Sequence, residues 1–304
     1  MSNPSVRQSY LEKNRIAVGP PADPGEFQRE YQRFGVLLPK RRPLKVLDIG
    51  CGTGAWSVHW AGRGCIVTGV DFDPEFIGRA RCREGLTDPN VFRGIVGDAT
   101  RLPADIGQFD VVVLNSLLEH VPDWRGAISG AARALAPGGV LLLTTTNRHH
   151  PLQGEVNHFP FYPWLPGAVR ERVLAWIMKH RRDLVNYTDF PAVHWFSYPQ
   201  LRRELRELGL QVYDRLDLMR REQLTGVRSL ARWMVPGDGR AARGRSMFYL
   251  LSPTVALYAR RPEVGDPGRG SSAEVVYPPR YGNAGDSNNK STGAARDVVG
   301  AVER

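Results

Sequence analysis

The chain has 304 residues, 42% of them hydrophobic, and a formal net charge of +10 from 41 Lys and Arg against 31 Asp and Glu, enough for one sizeable α/β core with additions. No apolar run reaches membrane-spanning length and the opening residues lack a signal-peptide apolar stretch, so a cytoplasmic protein is expected; Cys51, Cys65 and Cys82 have neither metal-ligand nor disulfide-framework spacing. The arginines are scattered and no RNA-binding signature stands out, so the basic balance does not point to nucleic acid.

Residues 1–25 are polar, with prolines at 4, 20, 21 and 24, and read as a loose arm. Phe27, Tyr31, Phe34 and Leu38 recur at helical spacing and predict a helix over 26–38. Val46, Leu47 and Ile49 form a short apolar strand, followed at once by Gly50-Cys51-Gly52-Thr53-Gly54 and a helical stretch over 55–61. Strand, tight glycine turn and helix make a cradle for a nucleotide-like ligand. The glycines let the backbone turn and approach closely, and the helix start offers free N–H groups. Gly50, Gly52 and Ala55 also fit the G-x-G-x-x-G/A turn of dinucleotide-binding proteins, so the turn alone leaves a nucleotide-dependent oxidoreductase open.

The second strand, 65–70, ends at Asp71, where a carboxylate can accept hydrogen bonds from ribose hydroxyls. Asp73 and Pro74 read as N-cap and first residue of the next helix. The third strand, 91–96, leads to Gly97-Asp98-Ala99. The fourth, 109–114, is apolar throughout, as a central parallel strand should be, and runs into Asn115-Ser116-Leu117-Leu118-Glu119-His120. A helix over 124–135 stops at Ala136-Pro137-Gly138-Gly139, and the fifth strand covers 140–145.

The acid two residues before the first glycine completes Asp48-x-Gly50-x-Gly52-x-Gly54, which resembles the first motif of class I S-adenosylmethionine (SAM) methyltransferases. Phe109-Asp110-x-Val112, Leu118-Glu119-His120-Val121 and Leu135-x-Pro137-Gly138-Gly139 follow in the family's order, so the resemblance covers about 44–147. It implies an α/β fold: a doubly wound, seven-stranded Rossmann-like sheet with the last strand antiparallel and SAM at the carboxyl ends of the first four strands. It further implies that Asp48, Gly50, Gly52 and Gly54 hold the methionine part, Asp71 the ribose, and Asp98 with Ala99 the adenine. Phe72 would pack on the adenine face, and Asn115 would be a further contact.

Within the class, Leu118-Glu119-His120-Val121-Pro122-Asp123 looks like the ubiquinone-biosynthesis O-methyltransferases and their small-molecule relatives. Members of that group carry Glu-x-x-Glu-His here and can use it to hold a divalent metal. This chain has Ser116 at the first acid. Loss of a hard oxygen ligand weakens such a site, so no metal is carried over, and His120 is the candidate general base.

Residues 148–196 read as a helical lid inserted after strand five, with aromatics that suit an apolar or aromatic acceptor and with His149, His150, His158 and His194 as further candidate bases. A helix over 167–182 carries Val169, Val173, Leu174, Trp176 and Ile177 on one side and Arg170, Arg172, Lys179, Arg181 and Arg182 on the other. It reads as a lid helix, with a second reading as an interfacial helix giving peripheral membrane contact through 163–182. A helix over 200–208, strand six over 210–218, a short helix near 230–235 and a final strand over 255–259 follow. The Gly-, Ser- and Asn-rich tail is expected to be disordered. The expected organisation is an arm and cover helix (1–40), a methyltransferase domain (41–261, lid 148–196) and a tail (262–304). The expected activity is SAM-dependent methyl transfer to a small molecule, foremost a hydroxyl of an aromatic, quinone-like or lipid-linked acceptor. The rivals are the oxidoreductase and a non-catalytic scaffold of SAM-binding fold.

Overall fold

The computed structural model describes residues 21–38, 43–152, 155–156, 159–185, 191–218, 249 and 252–263. His158, the short helix expected near 230–235 and the tail beyond 263 lie outside them. Seven strands form one sheet: β1 (Lys45–Ile49), β2 (Ile66–Asp71), β3 (Phe92–Val96), β4 (Phe109–Asn115), β5 (Leu135–Thr146), β6 (Gln211–Asp214) and β7 (Thr254–Arg260), in the order β3-β2-β1-β4-β5-β7-β6. Strands β1 to β5 run parallel, and β7 is antiparallel to both β5 and β6. This is the doubly wound α/β sheet that the motif order implied.

Successive side chains of a strand point to opposite faces, and both faces here are apolar because both are covered. Leu47, Ile49, Val112, Leu114, Leu141 and Leu143 face α4 (Trp124–Ala134) and α6 (Tyr198–Glu207), packing with Trp124, Ile128, Ala131, Leu201 and Leu205. Val46, Val67, Val111, Val113, Val140 and Leu142 face the other way, against α1 (Pro24–Leu37), α2 (Ser57–Ala61) and α3 (Pro74–Cys82).

The N-terminal helix α1 begins where Asp23 accepts from the Gly25 and Glu26 amides, with Pro24 at its first position. It packs on the back of the sheet. Phe27, Tyr31 and Phe34 surround the fully buried indole of Trp60, with ring centroids 5.1, 5.7 and 5.2 Å away. Its buried Glu30 takes hydrogen bonds from Tyr258 Oη, Arg33 Nη1 and Arg215 Nη2. Just before the cap, the Ala22 amide donates to the Ala55 carbonyl (3.0 Å), and Phe27 meets the Trp56 ring at 5.7 Å.

Two elements differ from the periodicity. β6 stops at Asp214 instead of running over 210–218, because Asp214 Oδ1 accepts from the amides of Leu216 and Asp217 and folds the chain into a turn. Leu216 and Leu218 are buried inside that turn and so mimic strand alternation. β5 starts at Leu135, five residues early, because Leu135 already pairs with Phe109 of β4, ahead of a kink at Gly138 (φ +76°). Gly138 donates to the Arg261 carbonyl there, and the β4–β5 register shifts between Phe109 and Val111.

The inserted segment leaves the end of β5 and returns at Phe196, which bridges Asn147. It has its own small core of Val156, Tyr162, Ile177, Val185, Ala192 and Trp195, spanned by α5 (Gly167–His180) and a Val156–Val185 bridge. Of the apolar residues noted on α5, Ile177 is buried and Val173 and Leu174 pack against this core, while Val169 and Trp176 face solvent.

Trp60→Ala should lower unfolding free energy in urea by about 3–5 kcal/mol, the ordinary cost of emptying a buried indole site. A loss below about 1 kcal/mol would mean that α1 is not held to the sheet by this cluster.

Candidate active site

The carboxyl ends of β3, β2, β1 and β4 are neighbours in the sheet, and every cofactor candidate from the sequence lies at one of them. At the end of β1 the chain folds back on β2: the amides of Gly50 and Cys51 both donate to the Val70 carbonyl, at 2.7 and 3.1 Å, and the Gly54 amide closes the turn onto the Cys51 carbonyl. Gly50 sits at φ +74° with a Cβ position 2.7 Å from Leu117 Cδ1, so neither the dihedral nor the space admits a side chain. Gly52, at φ +52°, has open space where a Cβ would stand. The turn is therefore packed beneath Gly50 and accessible above Gly52, as a ligand cradle requires.

Two acids fix this turn. Asp71 Oδ2 accepts from the Gly52 amide (2.8 Å) and Oδ1 from the Asp73 amide (3.0 Å); burial raises its pKa despite these bonds. Asp48 is enclosed and accepts from Ser57 Oγ (2.6 Å), tying β1 to the first residue of α2. Burial, opposed by the Ser57 bond and reinforced by Asp71, pushes its carboxyl up to about 6. Asp73 caps α3 through the Glu75 amide. The sequence reading did not single out Ser57 or Arg83. Arg83 is buried and donates to the Thr53 carbonyl and hydroxyl, bracing the outer limb of the turn. No local pattern marks an arginine 30 residues from its partner.

Phe72, next to Asp71 in the chain, is 49% exposed. Asp98 is exposed at the end of β3 and caps a short 3₁₀ turn that begins at Ala99, accepting from the amide and hydroxyl of Thr100. The Gly97 amide donates to the Asp71 carbonyl, fixing the two strand ends together. Asn115 ends β4 and its Oδ1 accepts from Thr144 Oγ1 of β5. Ser116 follows at φ +50°, its amide held by the Thr144 carbonyl.

His120 lies in the 3₁₀ turn after β4, with the neighbouring Glu119 buried beneath it. Glu119 Oε2 accepts from Thr145 Oγ1 (2.7 Å), and burial pushes its carboxyl up to about 7. The Glu119 carbonyl accepts from the amides of Val193 (2.8 Å) and His194 (3.1 Å), which docks the returning limb of the lid on this loop. From the lid's other limb comes Glu155, also raised to about 7 by burial, with Oε2 3.9 Å from His120 Nε2. The ligand atoms of Glu119, His120 and Glu155 all lie within 4.8 Å of one another. The sequence argument about a metal counted only the contiguous motif, where Ser116 breaks the series; Glu155 is 35 residues beyond His120 and carries no signal of its own. Of the other histidines, His194 Nε2 lies 3.2 Å from the Pro122 carbonyl, which only accepts, so that nitrogen carries its proton. His149 and His150 sit at the start of the lid.

The family profile described as a methyltransferase domain matches residues 23–214. The ubiquinone biosynthesis O-methyltransferase of Idiomarina loihiensis is 34% identical over 159 residues, 49% of this chain and 61% of that protein. The enzyme of the same name from Psychrobacter cryohalolentis is 41% identical over 108 residues, 34% of this chain and 42% of that protein. The chain thus spans about four to six tenths of the length of these curated relatives. The crystal structure of the plantazolicin methyltransferase BamL shares the fold at a TM-score of 0.50 and 12% identity, over 84% of this chain and 90% of that one.

Because the folded state holds the Asp48 proton up to about pH 6 while an unfolded chain releases it near pH 3.9, the native state binds more protons between these values. Stability contributed by protonated Asp48 is complete below about pH 4 and is lost as pH rises to about 6, by at most about 1.4 kcal/mol per pH unit. Asp48→Asn should flatten this part of a urea-measured stability profile; an unchanged slope would show that Asp48 is ionised throughout.

Proposed function

The chain belongs to the methyltransferase-domain family, and on that premise we propose that it transfers a methyl group from SAM to a small-molecule acceptor, foremost a hydroxyl of an aromatic, quinone-like or lipid-linked compound. The observation that carries this reading is the convergence of the open glycine turn, Asp71, Phe72, Asp98 and Asn115 at four adjacent strand ends. These residues fit the cofactor. The space above Gly52 admits a ligand against backbone, Asp71 retains lone pairs on both oxygens for ribose hydroxyls, and Phe72 is an exposed aromatic at the end of β2, the strand that pairs with β3 ahead of Asp98 and Ala99. Bound there, SAM supplies an already activated methyl group.

The chain's own work is positioning. In this reading Gly50, Gly52 and Gly54 shape the bed for the methionine part, and Asp48 holds that bed to α2 through Ser57. Asn115 stands at the end of β4 where methionine part and acceptor meet. His120 accepts the acceptor's proton, and the lid, docked on the Glu119 carbonyl next to it, limits water. The ubiquinone biosynthesis relatives support a hydroxyl acceptor and a quinone-like class. The family match gives no support to the nicotinamide-nucleotide oxidoreductase; the scaffold alternative is left to experiment.

A specific observation favours contact with a lipid surface. Trp164 and Trp176 are each 56% exposed and Phe161 51%, and Arg172 and Lys179 are exposed close by in the chain. Among the described residues no helix is long and apolar enough to cross a membrane, so such contact would be peripheral.

Calorimetric titration should give micromolar binding of SAM and S-adenosylhomocysteine, and Asp71→Asn should weaken both at least tenfold with the far-ultraviolet spectrum unchanged. His120→Ala should slow turnover of a phenolic acceptor about 10²-fold without altering SAM affinity. Folded protein that ignores SAM would sink the reading, and SAM binding without turnover of phenolic or quinol acceptors would favour the scaffold. Sedimentation with phosphatidylglycerol vesicles should carry the protein down, and Trp164→Ser with Trp176→Ser should leave it in solution; no pelleting of the wild type would refute lipid contact.

A further inference from the structure

Among the described residues, Glu119, His120 and Glu155 are the one group of three histidine, cysteine or acidic side chains whose ligand atoms converge, all within 4.8 Å. The 3.9 Å between His120 Nε2 and Glu155 Oε2 exceeds a hydrogen bond. Two atoms each bound at about 2.1 Å to one tetrahedral ion stand about 3.4 Å apart, so a small inward movement of these side chains brings them onto a common centre. Two carboxylates share this enclosed place; Glu119 is 1% exposed and the Glu155 side chain 12%.

Each donor sits on a segment that the fold holds in place. Glu119 is oriented by Thr145 Oγ1 from β5, and its main chain is held by Val193 and His194. His120 follows in the same tight turn. Glu155 precedes Val156, which is locked into the lid core and bridged to Val185. Two donors thus belong to the loop after β4 and the third to the lid. The usual Glu-x-x-Glu-His arrangement would place all three on one loop, and Ser116 removes that option here.

We propose that Glu119, His120 and Glu155 form a site for a divalent transition metal ion, with the third ligand delivered by the lid, so that the ion fastens the lid to the loop after β4. One imidazole and two carboxylates favour Zn²⁺, Co²⁺ or Mn²⁺ over the all-oxygen preference of Mg²⁺ or Ca²⁺. Three protein ligands leave positions open for exogenous oxygen ligands. With an ion bound, His120 Nε2 would be a ligand and no longer the proton acceptor, and an acceptor oxygen would take an open position on the ion instead; that use rests on the methyl-transfer reading, whereas the site itself does not.

The test uses the chelator-treated full chain without SAM. Zn²⁺ is titrated by calorimetry, and Co²⁺ by its visible absorption, which reports ligand geometry directly on the wild type. One ion per chain at micromolar affinity or tighter is expected, weakened at least tenfold in Glu155→Gln and unchanged in Asp183→Asn, an exposed lid acid paired with Arg181. Amide exchange at Val156, Val185, Val193 and His194 should slow when Zn²⁺ is added to the wild type and not in Glu155→Gln. Absence of stoichiometric binding by folded wild type overturns the proposal. So does wild-type affinity in Glu155→Gln, or bound ion with lid exchange unchanged. SAM titration of the same metal-free samples separates the two readings: loss of SAM binding with the metal site intact refutes methyl transfer alone, and the reverse refutes the metal site alone.

Discussion

The site depends on one closure, the fold-back of the chain after β1 onto the end of β2. The Val70 carbonyl takes two amides of the glycine turn, and the next residue, Asp71, takes a third through its carboxylate. These three bonds convert a flexible glycine-rich segment into a fixed bed. The enclosed Asp48–Ser57 pair then sets where the following helix begins. The arrangement has a cost. Asp48 and Asp71 lie near each other in a poorly solvated place, and burial raises the pKa of both. The fold tolerates this because each carboxylate holds at least one strong donor.

A second constraint follows at the end of β4. There the chain must leave the sheet, present a loop to the crevice and accept the lid. The loop does so through its backbone: the Glu119 carbonyl receives two amides of the returning limb of the lid while its side chain accepts from Thr145 of the sheet. The lid therefore has a core of its own, is fastened to the loop after β4 at the Glu119 carbonyl, and brings Glu155 to within 3.9 Å of His120. Aromatic residues left outside that core, Trp164 and Trp176, belong to the outer surface.

Much of the fold was legible in the chain because its signals are local. Each of β1 to β4 reads as a short apolar run ending in a turn residue, and each pairs with a neighbour in parallel. The helix starts at Asp73-Pro74 and Ser197-Tyr198-Pro199 announce themselves through side-chain caps, whereas the helix read from residue 26 begins at Pro24, capped by Asp23 in what reads as a loose arm. Misreadings arose where a local rule was met for another reason. Leu216 and Leu218 alternate like strand residues but are buried within an Asp214-capped turn. Pro137-Gly138-Gly139 ends a helix, as its composition says, and also forms the opening of a strand.

By itself the sequence determined the order of strands and helices, the glycine turn, and the placing of Asp71, Phe72, Asp98 and Asn115 at strand ends, because spacing along one chain and the two-residue period of a strand suffice for that. Only the tertiary structure decided that α1 lies on the back of the sheet, that Asp48 serves Ser57, that Arg83 braces the turn at Thr53, and that Glu155 comes to His120. These are contacts between residues 9 to 35 positions apart or on separate elements, and their geometry is fixed by which faces pack together. A linear pattern records the side-chain types but not that packing.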